Sequence, residues 1–248
     1  MFPQATPLIL PEDVSISYAP ITQEQCTAIE EKTRSQSKSV SWSEERKNRL
    51  TASLFGNIIK RKSVTQTFLR SLNCPKCFSS VPTSYGKNNE RNAIEMYIKK
   101  TGHHVHDCGL VVNPKFPFLG ATPDGKVCDN GKTGLVEIKC PYSARDLNIR
   151  EAVTLPKFCL KENDDHEIVL KSDHNYFYQV QGQMMTSAAP FCDFVVYTRK
   201  DLFIQRIYPD IPFMQQLLNK LSKFYFENMQ PFLNESKRIS LSHLVNEI

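Results

Sequence analysis

Gly120 to Pro141 reads GATPDGKVCDNGKTGLVEIKCP, and the turn signal inside it constrains the fold more than any other stretch. Asp129-Asn130-Gly131 separates two short runs, Lys126-Val127-Cys128 and Leu135-Val136-Glu137-Ile138-Lys139. Asn-Gly favours the left-handed backbone of a tight hairpin, so the two runs are expected to pair as strands. Side chains alternate faces along a strand, which sets Glu137 and Lys139 on one face and Val136 and Ile138 on the other. A hairpin folded about residues 130 to 132 brings Asp124 opposite Ile138 and Lys139. Two carboxylates and an ammonium group then converge.

That set has a specific chemical use. Asp and Glu oxygens suit a hard cation such as Mg²⁺, which keeps several waters and also takes substrate phosphate oxygens. Such an ion lowers the pKa of a bound water and neutralises charge developing at phosphorus, while a lysine beside it orients or deprotonates the water. This is the chemistry of phosphodiester hydrolysis. A plainer reading uses the same residues: Asp124 makes a Pro-Asp-Gly turn, and Glu137 and Lys139 form a surface ion pair. A PD…ExK pattern is short and common, so the rest of the chain has to decide between them.

Longer motifs agree with the first reading. ATPDG at 121–125, GLVEIKCPYSARD at 134–146 and YFYQVQGQM at 176–184 resemble the YqaJ viral recombinase or lambda-exonuclease branch of the PD-(D/E)XK nucleases. The similarity runs from about Trp42 to about Phe226, with the motifs in the family's order. The resemblance implies an α/β fold with a restriction-endonuclease-like core, a mixed central β-sheet flanked by helices. It implies a Mg²⁺-dependent deoxyribonuclease, a 5′ to 3′ exonuclease on linear double-stranded DNA in recombination, replication or repair of viral or mobile-element DNA. It further implies a ring-shaped homotrimer around DNA and a single-strand annealing protein as partner. An endonuclease of the same fold and a non-catalytic DNA-binding module are the alternatives.

The site residues follow one by one. Asp124 and Glu137 are the expected metal ligands, with the Ile138 carbonyl as a third and Lys139 activating the water. Tyr85 to Lys100 has a helical pattern ending at Gly102, a C-cap residue. Counting from Glu90 in helical steps reaches Ala93, Ile94 and Tyr97, so Glu90 faces inward, where a carboxylate needs a partner. A metal supplies one, and YGKNNE resembles the family's helical glutamate; otherwise Glu90 lies at the helix edge and reaches water. Two ions are expected, with Mn²⁺ substituting for Mg²⁺. Tyr176, Gln179, Val180 and Gln183 share a stripe on a helix that Asp173 can cap, and Gln179 matches the family's glutamine beside the catalytic lysine. By the same resemblance Arg46 and Ser53 hold the 5′-phosphate, with Arg145 as another phosphate-binding arginine and Thr122 as a small hydroxyl residue near the same pocket. Helix-surface charge and an N-cap account for Arg46 and Ser53 about as well, and Arg145 could instead pair with Asp146 or Glu151.

A chain of 248 residues, 40% hydrophobic, suits one domain with a real core. Its expected divisions are an N-terminal arm and helix over 1–41, the nuclease domain over 42–232 and a polar tail over 233–248 with at most one helical turn. Pro3, Pro7, Pro11 and Pro20 make the arm extended, and Thr22 to Gln25 fits a capping box that starts a helix to about Arg34. Ser35 to Ser41 reads as a loop. His103 to Val112, Phe116 to Ala121, Phe194 to Tyr197 and Phe203 to Ile207 read as strands. Helices are expected to begin at Ser143 and to span Pro212 to Glu227. The role of the charged segment Leu155 to Asp173 is not legible in the sequence: a DNA-facing loop and an oligomer contact are both open.

A net charge of +5 permits nucleic-acid binding without requiring it. No apolar run approaches the ~20 residues of a membrane span, and the N-terminus lacks a signal-peptide pattern. The expectation is a protein that avoids membranes and is intracellular, nuclear or cytoplasmic, and not secreted. The eight cysteines are scattered and read mostly as buried thiols. Cys74 and Cys77 make half of a zinc-site pattern with no second half, so a surface loop is expected there.

Overall fold

In the computed structural model Asn130 and Gly131 both take positive φ, 46° and 76°, as a two-residue hairpin turn of the type favoured between strands requires. They join β4 (Gly125–Asp129) to β5 (Lys132–Lys139). Asp129 faces Lys132 and Gly125 faces Val136. The turn is tighter than the sequence reading had it, because both central residues accept left-handed backbone. Asp124 therefore lies beside Glu137, one step earlier than the expected position opposite Ile138 and Lys139.

The structure describes residues 8–11, 21–73 and 80–245. Before the hairpin come α1 (Gln23–Lys32), α2 (Val40–Lys47), β1 (Leu50–Thr51), α3 (Ala52–Ile59), α4 (Gln66–Asn73), α5 (Val81–Thr101), β2 (Val105–His106) and β3 (Leu119–Gly120). After it come α6 (Ile149–Ala152), β6 (Leu160–Glu162), β7 (Ile168–Leu170), α7 (Asn175–Ser187), β8 (Cys192–Tyr197), β9 (Leu202–Ile207), α8 (Ile211–Phe224) and α9 (Gln230–Val245). The main sheet has the order β2-β4-β5-β8-β9. Only the β5–β8 pairing in it is parallel, so the sheet is mixed, with β5 at its centre. β1 pairs with β3 in parallel, and β6 with β7 as a separate hairpin.

The alternation along β5 divides the core. Leu135, with Phe194 and Val196 of β8, packs among Phe55 of α3, Val180 and Met184 of α7, and Leu217, Leu218 and Leu221 of α8. Val136 and Ile138, with Val195 and Tyr197, pack against Ala93 and Tyr97 of α5. Helices thus cover both faces. Glu137 and Lys139 share the face of Leu135 and look toward α7, whereas Glu90 belongs to α5 and comes from the other side.

Several local expectations change. Ser39 caps α2 through the Trp42 N–H, so the helix starts at Val40, and Gln36–Lys38 forms a 3₁₀ turn inside the expected loop. After Pro141 there is only a 3₁₀ turn, Tyr142–Ala144, and the helix begins at Ile149 because Asn148 and Glu151 make a capping box there. His174, rather than Asp173, caps α7, its Nδ1 accepting from the Tyr176 N–H at 3.1 Å. Beyond residue 232 the chain stays helical to Val245: a π-helical turn, Tyr225–Met229, links α8 to α9, and Phe232 and Leu233 are buried just after it. Leu8 is buried in the main core, and the Ile9 backbone both donates to and accepts from the Gln215 side chain, at 3.1 and 2.7 Å. Residues 1–7 and 12–20 of the arm, and Cys74 and Cys77, lie outside the described residues.

The seat of α7 against α3 depends on one glycine. A Cβ on Gly182 would come within 2.4 Å of the ring of Phe55, which is fully buried. Gly182→Ala is expected to cost roughly 1–3 kcal/mol of stability through overpacking, read as a lower midpoint in thermal or urea unfolding. An unchanged midpoint would mean that the Phe55 ring can move aside.

Candidate active site

At the carboxyl end of β5 the hairpin and α7 enclose a charged group that an apolar core does not tolerate unpaired. Glu137 is 2% exposed, and a buried carboxylate is costly unless it is paired and hydrogen-bonded. Its Oε1 accepts from Gln179 Nε2 at 2.6 Å and from Lys139 Nζ, and its Oε2 accepts from Gln183 Nε2 at 2.7 Å. Gln179 and Gln183 stand four residues apart on α7, one turn of helix, so their amides reach the two oxygens side by side. Gln183 is a residue the sequence reading left without a role. Its signal was the stripe it shares with Gln179.

Asp124 sits where the chain enters β4, and its Oδ2 accepts from the Ile138 N–H at 2.6 Å. Burial pushes its pKa well above the usual aspartate value, and the charges of Glu137 and Glu90 push the same way. Burial and the charge of Glu137 also raise the pKa of Glu90. The Lys139 ammonium lies 4.6 Å over the ring of Tyr176. Burial works against its charge, but Glu137 and Asp124 outweigh burial and hold its pKa above the ordinary lysine value. Lys139 therefore stays protonated in this setting, a hydrogen-bonding cation suited to orienting a water or steadying negative charge.

Glu137 raises the pKa of both Asp124 and Glu90, and three acids sharing one lysine leave a deficit of positive charge. Their donors are hard oxygens, which fits a divalent cation such as Mg²⁺. Among the described residues no three His, Cys, Asp or Glu side chains close around one point. A cation of that kind does not need them to, since it is held by one or two carboxylates while keeping several waters.

A second polar group lies along the chain from Asp124. Arg46 donates to Thr122 Oγ1 at 3.4 Å and to Thr51 Oγ1 at 3.3 Å, and stacks 4.2 Å over the Trp42 ring. Trp42 Nε1 donates to the same Thr122 oxygen at 3.1 Å, and Ser53 Oγ is 3.5 Å from Thr51 Oγ1. The structure thus brings Arg46, Thr122 and Ser53 together, with Trp42 and Thr51 as members that the sequence reading missed. Burial lowers the pKa of Arg46 to about 10, with no acid contributing. A half-buried guanidinium facing hydroxyls rather than carboxylates suits an anion. Arg145 does not join this group: it stacks 4.0 Å over Tyr142, donates to the Tyr142 carbonyl at 2.8 Å and pairs with Asp146 at 3.2 Å, the plainer of its two readings.

Residues 41–190 match the model of a family described as a YqaJ-like viral recombinase domain. The alkaline nuclease of Autographa californica nuclear polyhedrosis virus is 27% identical over 232 residues, which cover 83% of this chain and 52% of that protein. The chain spans about half the length of that curated relative. Among solved structures, an alkaline exonuclease from Laribacter hongkongensis is 25% identical with a TM-score of 0.62, covering 82% of this chain and 98% of its own. A phage-related exonuclease from Haemophilus somnus, 15% identical with a TM-score of 0.51 over 76% of this chain and 96% of its own, shares the fold.

Proposed function

The chain belongs to the YqaJ-like viral recombinase family, and on that premise we propose that it is a DNA exonuclease, with its nuclease domain over residues 42–232. The observation that carries the reading is Glu137, buried and gripped by Lys139, Gln179 and Gln183 next to Asp124. Residues kept only for a turn and a surface ion pair have no use for such burial. The names of the Laribacter exonuclease and of the baculoviral nuclease point the same way.

In this reading Asp124 and Glu137, with the Ile138 carbonyl, hold Mg²⁺ or Mn²⁺, and Glu90 serves the same ion or a second one. Bound there, the ion supplies an acidified water and neutralises charge on the scissile phosphate. Gln179 and Gln183 fix the Glu137 carboxylate so that its oxygens keep one orientation. Lys139 orients the attacking water from the Tyr176 side. Arg46, Thr122 and Ser53 receive the terminal 5′-phosphate. Duplex DNA as substrate, 5′ to 3′ direction, a homotrimer, a single-strand annealing partner and a role in viral or mobile-element recombination complete the proposal. An intracellular site of action, nuclear or cytoplasmic, belongs to it too; no helix among the described residues is long and apolar enough to cross a membrane.

The test is a linear duplex carrying a 5′-phosphate on one strand, incubated with Mg²⁺ or with EDTA. Selective, Mg²⁺-dependent loss of the phosphorylated strand is expected, with covalently closed circular plasmid left intact. Cutting of the circle would replace exonuclease by endonuclease. Binding without cutting, in Mg²⁺ and in Mn²⁺, would leave a DNA-binding module.

A further inference from the structure

The entrance of α7 carries positive charge that the catalytic group does not use. Lys60, at the end of α3, sends its ammonium across to α7, where it donates to the Asp173 carbonyl and, at 2.8 Å, to Asn175 Oδ1. The same ammonium lies 4.9 Å from the ring of Tyr178. Both of these acceptors are neutral, so neither offsets its charge. Lys171 follows β7, with its N–H bonded to the Cys159 carbonyl at 2.9 Å and its carbonyl accepting from the His174 N–H at 3.0 Å. Neither lysine has a described carboxylate in ion-pair reach.

His174 links this charge to the site. Its ring packs edge-on against Tyr176, with centroids 4.5 Å apart, and the far partner of Tyr176 is Lys139, 4.6 Å from the same ring. Because Nδ1 accepts the Tyr176 N–H, the neutral ring carries its proton on Nε2, which is then a donor. Burial lowers the pKa of His174, and Lys60, Lys171 and Lys139 lower it further against the single opposing charge of Asp173. Two packed rings, His174 and Tyr176, thus stand between the cations Lys60 and Lys139. Cationic grooves interleaved with aromatic faces are how single nucleic-acid strands are held.

We propose that Lys60, Lys171 and His174 form a track that holds the sugar-phosphate backbone of the DNA strand next to its scissile bond, with Tyr176 as the wall between track and Lys139. The inference rests on the nuclease reading and adds the strand contact to it. It also gives the charged segment 155–173 a role. The β6–β7 hairpin and the chain after it pin Lys171 beside the α7 entrance.

The measurement is fluorescence anisotropy of a labelled single-stranded oligonucleotide in EDTA, titrated from about 50 to 200 mM salt. For single strands each phosphate contact contributes ~0.7 to the slope of log affinity against log salt. The Lys60→Ala/Lys171→Ala double variant is expected to lose about 1.4 of that slope. The Lys60→Arg/Lys171→Arg variant keeps it, and so does Lys220→Ala on the exposed surface of α8. A double alanine variant with the wild-type slope, in a protein that degrades duplex, overturns the track and leaves the nuclease reading standing. Slope loss in a protein that binds and does not cut upholds the track and removes the enzymatic reading. A wild type that neither binds the oligonucleotide nor cuts duplex removes both.

Discussion

Lys139→Ala is expected to slow removal of a 5′-phosphorylated strand by roughly 10²–10⁴-fold, the range for losing a positioned proton donor or a charge-stabilising group. The loss is to be read in single-turnover digestion, with enzyme in excess and Mg²⁺ saturating, so that release of product does not mask the chemical step. Because Lys139 is also the cation on Glu137 Oε1, the substitution disturbs the fold as well. Gln179 and Gln183 still satisfy the carboxylate, so the cost should be about 2 kcal/mol rather than the larger value for a buried charge stripped of all partners. Thermal unfolding separates the two effects. A Lys139→Ala protein that melts near the wild type and digests within about tenfold of its rate would remove Lys139 from the chemistry.

Asp124→Asn should do something that ordinary core substitutions do not: abolish activity while raising the melting temperature in metal-free buffer. Burial, then Glu137 and Glu90, raise the folded-state pKa of Asp124. An acid with a raised folded pKa favours folding where it is protonated. That contribution is fully present below the unfolded-chain pKa and is lost as pH rises through the folded value. Above that folded value the wild type has lost it, whereas asparagine never ionises and still offers an oxygen to the Ile138 N–H. A gain of about 1 kcal/mol corresponds to roughly 2–4 °C for a chain of this size. The gain should shrink as pH falls toward the acid range, and the upward shift of the melt with Mg²⁺ seen in wild type should vanish in the variant. A lower melt than wild type at neutral pH would contradict this account of the site.

The parts legible in the sequence are those fixed by neighbours along the chain. Asn130-Gly131 announced the hairpin, alternation placed Glu137 beside Lys139, and Thr22 and Gly102 marked helix ends that the structure has at those positions. Gln179 and Gln183 lay on a visible stripe, but only the fold reveals that both amides meet one carboxylate. Contacts between distant segments left no local trace: the two-residue pairing of Leu50–Thr51 with Leu119–Gly120, or Trp42 and Arg46 sharing Thr122 across some eighty residues of chain. The C-terminal helix was missed because its surface is polar and its anchors, Phe232 and Leu233, come only after a π-helical turn. His174 displaced Asp173 as the cap because an imidazole nitrogen, like an Asx oxygen, can accept the orphan N–H.

The position of β5 has a consequence for how the protein breathes. It has ladder partners on both sides, β4 and β8, whereas β2 and β9 at the ends of the sheet are each paired on one side only. In hydrogen–deuterium exchange the edge amides should label first through local fraying, and those of Leu135 and Val136, where the two ladders overlap, last, with the rate of global opening. The strand that carries Glu137 and Lys139 is thus among the slowest clocks in the molecule. Fluctuations at the edges of the sheet can run their course while Glu137 and Lys139 stay assembled.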